Sequence, residues 1–290
     1  GTNSDSCVLA IDSTGNVGNA VAVWHRYNGS NFVIQSATLS SGGSWSFPTD
    51  VSASGEDALA PGANVDPNGN ALVAYVRYDG TNFNVFSSGL LYSQLWGPNF
   101  LLSSPNQPNY GPVVRIDTSG NATVLWSQFN GSNYVIKTSS SLLGAAWSIP
   151  VTLSASGQNA YLSDFAIDSL GNIRAIWVRF NGSNYILQGS NRSILGFWSS
   201  PVNISATGQD VGWMKIAMDP QGNCVAIWDV FDGVNSKVQA ARLPKNGSWT
   251  TPVDVSSAGQ SAYSPSIGVD SAGNSVAVWL ESDGGGYVVK

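Results

Sequence analysis

The sequence predicts an all-β chain, a six-bladed β-propeller with four-stranded antiparallel blades and a last blade of three strands. Three observations predict it. An apolar residue followed by Asp-x-x-Gly-Asn recurs six times, with the aspartates at Asp12, Asp66, Asp117, Asp168, Asp219 and Asp270. Each copy leads into an apolar stretch closed by an aromatic: Trp24, Tyr75, Trp126, Trp177, Trp228 and Trp279. Strand and turn chemistry fills the interval, and no segment has helical periodicity. Four of the five spacings are 51 residues, and the first is 54 because Val17-Gly18-Asn19 is an inserted triplet. A fixed period of this size with short strands in every copy is the mark of a blade-built array. Residues 1–290 therefore read as a single propeller domain.

The fourth repeat shows the elements in order. A short first strand is expected at 164–167, followed by the turn Asp168-Ser169-Leu170-Gly171-Asn172, where the carboxylate accepts backbone N–H bonds and Gly171 supplies positive φ. The second strand is expected at 173–180 and carries Trp177. Asn181-Gly182 reads as a two-residue hairpin turn, and each repeat has such a glycine preceded by Asn or Asp. The third strand is expected at 184–189. An outer strand follows at 197–204, where Pro201 fits an edge position whose N–H would face solvent. The strand-two aromatics and the outer tryptophans Trp45, Trp96, Trp147, Trp198 and Trp249 have the size and shape to fill the wedge between blades.

No sixth copy of the outer Trp-x-x-Pro strand follows the third strand of repeat six, so the last blade is expected to expose an edge, with a dimer contact there as one possible use. Cys7 and Cys224 fall on non-neighbouring repeats, which predicts two unpaired and mostly buried thiols. Charged residues make up 10% of the chain, net charge is −6, and Lys plus Arg total 12. Without a basic stripe, nucleic acid is not an expected partner. The apolar runs are strand-sized, which excludes a membrane-spanning helix. A surface poor in Lys and rich in Asn, Ser, Gly and Trp suggests export, to the cell envelope or beyond it.

Within a propeller plan the fourth-to-first-strand connections share one face with the second-to-third hairpins. The connections at 52–61, 103–111, 154–162, 205–212 and 256–264 are the longer, so they would build a site. Tyr110, Tyr161, Trp213 and Tyr263 stand near their ends. First-strand positions two and four before each motif Asp should line the central channel, where Arg115, Asp164 and Lys215 come from three consecutive repeats. Two readings stay open for that trio: compensating charges in a solvated channel, or the anchor of a polar ligand ringed by the four aromatics. Aromatic faces beside hydrogen-bonding groups suit sugar rings, so carbohydrate is the first ligand expected and a protein surface the second. A second recurring position, two after the strand-two aromatic, holds Arg26, Arg77, Gln128, Arg179, Val230 and Glu281. Repeated sites between blades would explain it, and so would inheritance from an ancestral repeat with Arg stacked on Tyr27, Tyr78 or Phe180.

Signals for metal, cofactor or catalysis are weak. One histidine, His25, and no Cys/His cluster exclude the usual zinc arrangements. The motif turn offers one carboxylate where calcium takes six to eight oxygens. No metal and no cofactor are expected. Glycoside hydrolysis needs two carboxyls across a cleft. Only Glu56 and Glu281 are glutamates, six aspartates belong to turns, and Asp57, Asp164 and Asp210 lie on different repeats.

The repeated frame resembles bacterial β-propeller repeats, and loosely the Asp-box of sialidases, Ser-x-Asp-x-Gly-x-x-Trp. Here Gly comes three residues after Asp, and Ser-x-Asp is missing from most copies. Six repeats of this length also resemble the fungal fucose-binding lectin propellers, whose Arg/Glu/Trp set does not recur. The resemblance implies the fold and carries no functional residue across. The function expected from the sequence is a non-enzymatic binding or interaction scaffold. The alternatives are a glycosidase-like, sialidase-related enzyme, or a recently duplicated propeller with no dedicated site.

Overall fold

A computed structural model describes residues 4–12, 18–91 and 95–290. Among these the chain is all β, with no helix. The first sheet contains β1 (Ser4–Ile11), β2 (Ala20–Tyr27), β3 (Phe32–Leu39) and β4 (Thr49–Asp50). The second contains β5 (Ala58–Val65), β6 (Ala71–Tyr78), β7 (Phe83–Leu90) and β8 (Phe100–Leu101). The third contains β9 (Asn109–Ile116), β10 (Asn121–Phe129), β11 (Tyr134–Leu142) and β12 (Val151–Thr152). The fourth contains β13 (Ala160–Ile167), β14 (Ile173–Phe180), β15 (Tyr185–Arg192) and β16 (Val202–Asn203). The fifth contains β17 (Asp210–Met218), β18 (Cys224–Phe231), β19 (Ser236–Leu243) and β20 (Val253–Asp254). The sixth has three strands, β21 (Ala262–Val269), β22 (Ser275–Ser282) and β23 (Tyr287–Val289). Every sheet is an antiparallel meander in chain order, the blade of a six-bladed β-propeller. No helix among the described residues is long and apolar enough to cross a membrane.

The chain forms two compact units, one of Gly1–Ser132 with Ile136–Thr152, the other of Asn133–Val135 with Leu153–Lys290. In the first, strands β6 and β10 are buried on both faces, since successive side chains point to opposite sides. Val73 and Tyr75 of β6 pack with Val21, Val23 and Ile34 of blade one. Leu72, Ala74 and Val76 of the same strand pack with Val114, Val124 and Trp126 of blade three. In the second unit β14 and β18 are likewise buried, whereas β22 of blade six exposes Val276, Val278 and Leu280 on one face. Ile176, Val178 and Leu187 of blade four meet Met214, Ile216 and Trp228 of blade five, and Ile227 and Val238 of blade five meet Ala262 and Ile267 of blade six. The strand-two aromatics Tyr75, Trp126, Trp177 and Trp228 are fully buried. The outer tryptophans are less so. Trp96 is half-buried and donates its indole N–H to Ser36 Oγ of the preceding blade at 2.7 Å, whereas Trp45 is exposed.

The motif turn works as its chemistry implies. Asp168 Oδ1 accepts the N–H groups of Leu170 and Asn172, each at 2.9 Å, and Oδ2 accepts Asn172 Nδ2 at 2.7 Å. Blade one shifts the frame. There Asn19 donates both its backbone N–H and its Nδ2 to Asp12 Oδ2, and Asp12 N–H donates to Asn19 O, the role Asn70 plays for Asp66. The insertion therefore lies inside the turn, and Gly18-Asn19 takes the place expected for Gly15-Asn16, which fall outside the described residues.

Other elements depart from expectation for local reasons. The hairpin Asn is a corner residue, not a central one: Asn181 Oδ1 accepts the N–H groups of Ser183 and Asn184, so Gly182 and Ser183 form the tip. The outer strand shrinks from eight residues to Val202–Asn203, with a single further bridge between Arg192 and Trp198. First strands run four residues further back than expected, because each passes through a β-bulge. Arg77 lies over Phe86, 5.8 Å from the ring centroid, and pairs with Glu56 at 2.9 Å instead of stacking on Tyr78. Cys224 is buried, and burial pushes its thiol up to about 12, but Cys7 is exposed.

Candidate functional site

All six first strands carry a bulge at the same place. In five blades a bulge residue takes the left-handed conformation, at Ser6, Ala60, Gly111, Leu162 and Ser264. Blade five is the exception. Between the pairs Val211–Val230 and Met214–Trp228, Gly212 and Trp213 lie opposite Asp229 with no positive φ. The carboxylate takes over the work of the ladder: Asp229 Oδ1 accepts Trp213 N–H and Oδ2 accepts Ser264 N–H of blade six, both at 3.0 Å. A Cβ at position 212 would collide with Asp229 Oδ1, so any residue but glycine there must displace the carboxylate. Burial raises the Asp229 carboxyl above the usual range, against the pull of the Ser264, Trp213 and Gly212 N–H groups.

The Trp213 side chain beside this bulge is 47% exposed. Lys215 Nζ stands 5.6 Å from its ring centroid and 3.6 Å from Asp164 Oδ2. Asp164 itself is 2% exposed and accepts N–H bonds from Phe165 at 2.9 Å and from Ile216 at 3.4 Å. Trp213 thus links two acids, Asp229 through its backbone and Asp164 through Lys215. Tyr263, one residue before Ser264, lies within the field of Asp229, and hydrogen bonding with the Ser261 and Ser236 hydroxyls holds its phenol below the usual range. Its ring meets Tyr287 edge-on at 5.8 Å.

Of the residues expected to form a site, the structure brings Asp164, Trp213 and Lys215 together. Tyr263 stands beside Asp229. Tyr161 belongs to another group, with Tyr134 at 5.2 Å and Tyr185 at 6.3 Å, and burial followed by the Tyr185 phenol raises its own phenol. Tyr110 and Arg115 belong to the first unit, where Tyr110 is exposed and Arg115 Nη1 donates to Val114 O at 2.8 Å.

The other spare carboxylates have structural work. Asp57 and Asp210 each accept the first N–H of a third strand, from Phe32 at 2.8 Å and Tyr185 at 2.7 Å. Glu281 accepts Trp279 Nε1 at 3.1 Å and Ser257 N–H at 3.0 Å. Asp229 is the residue that the sequence reading missed. Its signal lies in one column of the repeat, directly after the strand-two aromatic, which reads His25, Val76, Ser127, Val178, Asp229 and Leu280. Among the described residues no group of three or more His, Cys, Asp or Glu is gathered as for a metal.

No protein-family model matches the chain, and comparison with the curated proteins finds no match. Solved structures do match. An ulvan lyase of a polysaccharide lyase family is 12% identical, covers 100% of this chain and 84% of its own, and superposes with a TM-score of 0.62. An α-L-arabinofuranosidase from Fusarium graminearum is 13% identical, with coverage of 99% and 96% and a TM-score of 0.54. A leech intramolecular trans-sialidase is 10% identical, with coverage of 94% and 64% and a TM-score of 0.56. The expectation that the chain is not an enzyme is corrected by these matches, because the solved structures that share its architecture include carbohydrate-active enzymes. The sequence reading weighed Asp57, Asp164 and Asp210 as spare acids and left Asp229 out of that count. At these identities the likeness establishes the fold, a six-bladed β-propeller.

Proposed function

We propose that this protein acts on carbohydrate as a glycosidase-like enzyme, with Asp229 as its proton-transfer group. One observation carries the reading: a carboxyl raised by burial is fixed between two blades by the backbone N–H of an exposed tryptophan and that of Ser264. An acid that moves a proton near neutral pH must hold it more tightly than an ordinary aspartate does. The Trp213 ring offers a flat apolar face to a sugar, and the Asp164–Lys215 pair offers charged groups to its hydroxyls. In this reading Asp229 protonates the glycosidic oxygen as its bond to the anomeric carbon breaks. Water then adds to that carbon, and its proton returns to the carboxylate. The Tyr263 phenol oxygen, made more acidic by Ser261 and Ser236, stabilises the positive charge on the ring. The fold's company of carbohydrate-active enzymes supports the substrate class.

The test is release of reducing ends from a panel of polysaccharides and aryl glycosides. Asp229→Asn should lower kcat by about 10²–10⁴-fold with the fold retained, and Trp213→Ala should act mainly on KM. Undiminished turnover by Asp229→Asn would refute the assignment, as would a native protein inert on the whole panel.

A further inference from the structure

Blade four differs from blades two, three and six at one polar position beside the strand-two aromatic. Two residues after that aromatic, Gln128 accepts the Trp126 indole N–H at 3.3 Å, and Glu281 accepts that of Trp279 at 3.1 Å. In blade two the position holds Arg77, neutralised at 2.9 Å by Glu56 from the preceding connection. Blade four has the arginine, Arg179, but Gln158 stands where Glu56 stands two repeats earlier. The arginine has therefore lost its acid, and the tryptophan its acceptor. Among the described residues Arg179 forms no ion pair of the kind Arg77 makes with Glu56, and Trp177 Nε1 is buried without a hydrogen-bond partner, as is Trp228 Nε1 in blade five.

The third strand adds an unmet acceptor. Gln188 pairs across the ladder with Trp177 and gives its Nε2 to Asn203 Oδ1 at 2.7 Å, while its Oε1 has no donor although the residue is only 8% exposed. Residues two apart on a strand, and their cross-strand partners, share a face. Arg179, Asn181, Asn184, Gln188, Asn203 and Thr207 line an open groove of about 530 Å³, all within the second unit. That size lies within the range of small-molecule sites, about 300–1,000 Å³. Buried polar atoms without partners are costly, and a cation without an acid is costlier. A ligand that relieves both kinds must carry an anionic oxygen for the guanidinium and a hydroxyl for the amide oxygen.

We propose that this groove binds a sugar acid, with its carboxylate on Arg179 and a ring hydroxyl donating to Gln188 Oε1. Asn181, Asn184 and Thr207 supply further polar groups around a polyhydroxylated ring. The groove is built from blade four and the connection after it, so the proposal stands apart from any chemistry at Asp229.

The experiment is calorimetric titration of the whole chain with glucuronate, with glucose and inorganic sulfate as comparisons. Arg179→Gln restores the arrangement that Gln128 makes in blade three, so this variant should fold, which its circular dichroism and melting temperature would verify. The native protein should bind glucuronate saturably, and about tenfold or more tightly than either glucose or sulfate, because each lacks one of the two groups. Arg179→Gln should weaken glucuronate by about tenfold or more. No saturable binding by the native chain, or equal binding by folded Arg179→Gln, would overturn the proposal. So would sulfate bound as well as glucuronate, which would mark an adventitious anion only.

Discussion

Asp229 and Gly212 are a matched pair, and each constrains the other. The carboxylate occupies the space where any other residue at 212 would place its Cβ. Gly212→Ala should therefore push Asp229 from the bulge and cost about 1–3 kcal/mol by denaturant unfolding. In an Asp229→Ala background the same change should cost far less, since the obstruction is gone. Equal costs in both backgrounds would show that the two residues do not interact.

The acid also leaves a pH signature. Burial raises its folded pKa above the ordinary aspartate value, so the folded chain binds the proton more tightly than the unfolded chain does. The stability this gives is present at low pH and is lost as pH rises from the ordinary value through the raised one. Asp219, Asp254 and Asp270 are shifted the other way, and their contribution is lost as pH falls below the ordinary value. The melting temperature of Asp229→Asn relative to the native chain should therefore climb as pH rises through the Asp229 window. The other aspartates cancel in that difference. A difference constant from pH 4 to 7 would contradict the shift. Asp229 was poorly legible in the sequence because a repeat frame directs attention to what recurs, while this acid matters by departing from its column.

At the scale of elements, the turn after the first strand of blades two to six is the feature the sequence displays best, because its partners lie within five residues. Asp168 is 4% exposed and satisfies two backbone N–H groups and one side-chain amide. Asp168→Ala should destabilise the protein by roughly 2–4 kcal/mol, as those donors lose their acceptor. A loss under about 0.5 kcal/mol would mean that water replaces the carboxylate fully. Strands two and three were legible for the same local reason, since their apolar pattern and aromatic end stops need no distant information. The first-strand bulges were not. At Leu162 and Ser264 a non-glycine residue adopts positive φ, which no local preference announces and which the ladder on either side must enforce. The outer strands were over-read because Trp-x-x-Pro marks where the chain touches the sheet, while only two residues complete ladder bonds. Blade one shows the limit of motif matching: two Gly-Asn pairs follow Asp12, and the one that bonds to it is the one further along the chain.

For the whole molecule, six repetitions of one frame made the fold readable, whereas the candidate site was readable only in part. Trp213, Lys215, Asp164 and Tyr263 could be named from their places near strand ends. Their division into one group around Trp213 and another around Tyr263 depends on how blades four, five and six pack in the second unit. Three-dimensional contact also removed competing acids, since Asp57, Asp210 and Glu281 hold backbone groups that no sequence pattern ties to them. The expectation of a non-enzymatic scaffold is corrected by the solved structures that share the fold, among which are carbohydrate-active enzymes. The most direct measurement is turnover of a polysaccharide and aryl-glycoside panel by the native chain and Asp229→Asn side by side. The account predicts product from the native protein and a loss of at least about a hundredfold in the variant. Matching rates for the two proteins, or no product from the native one, would contradict it.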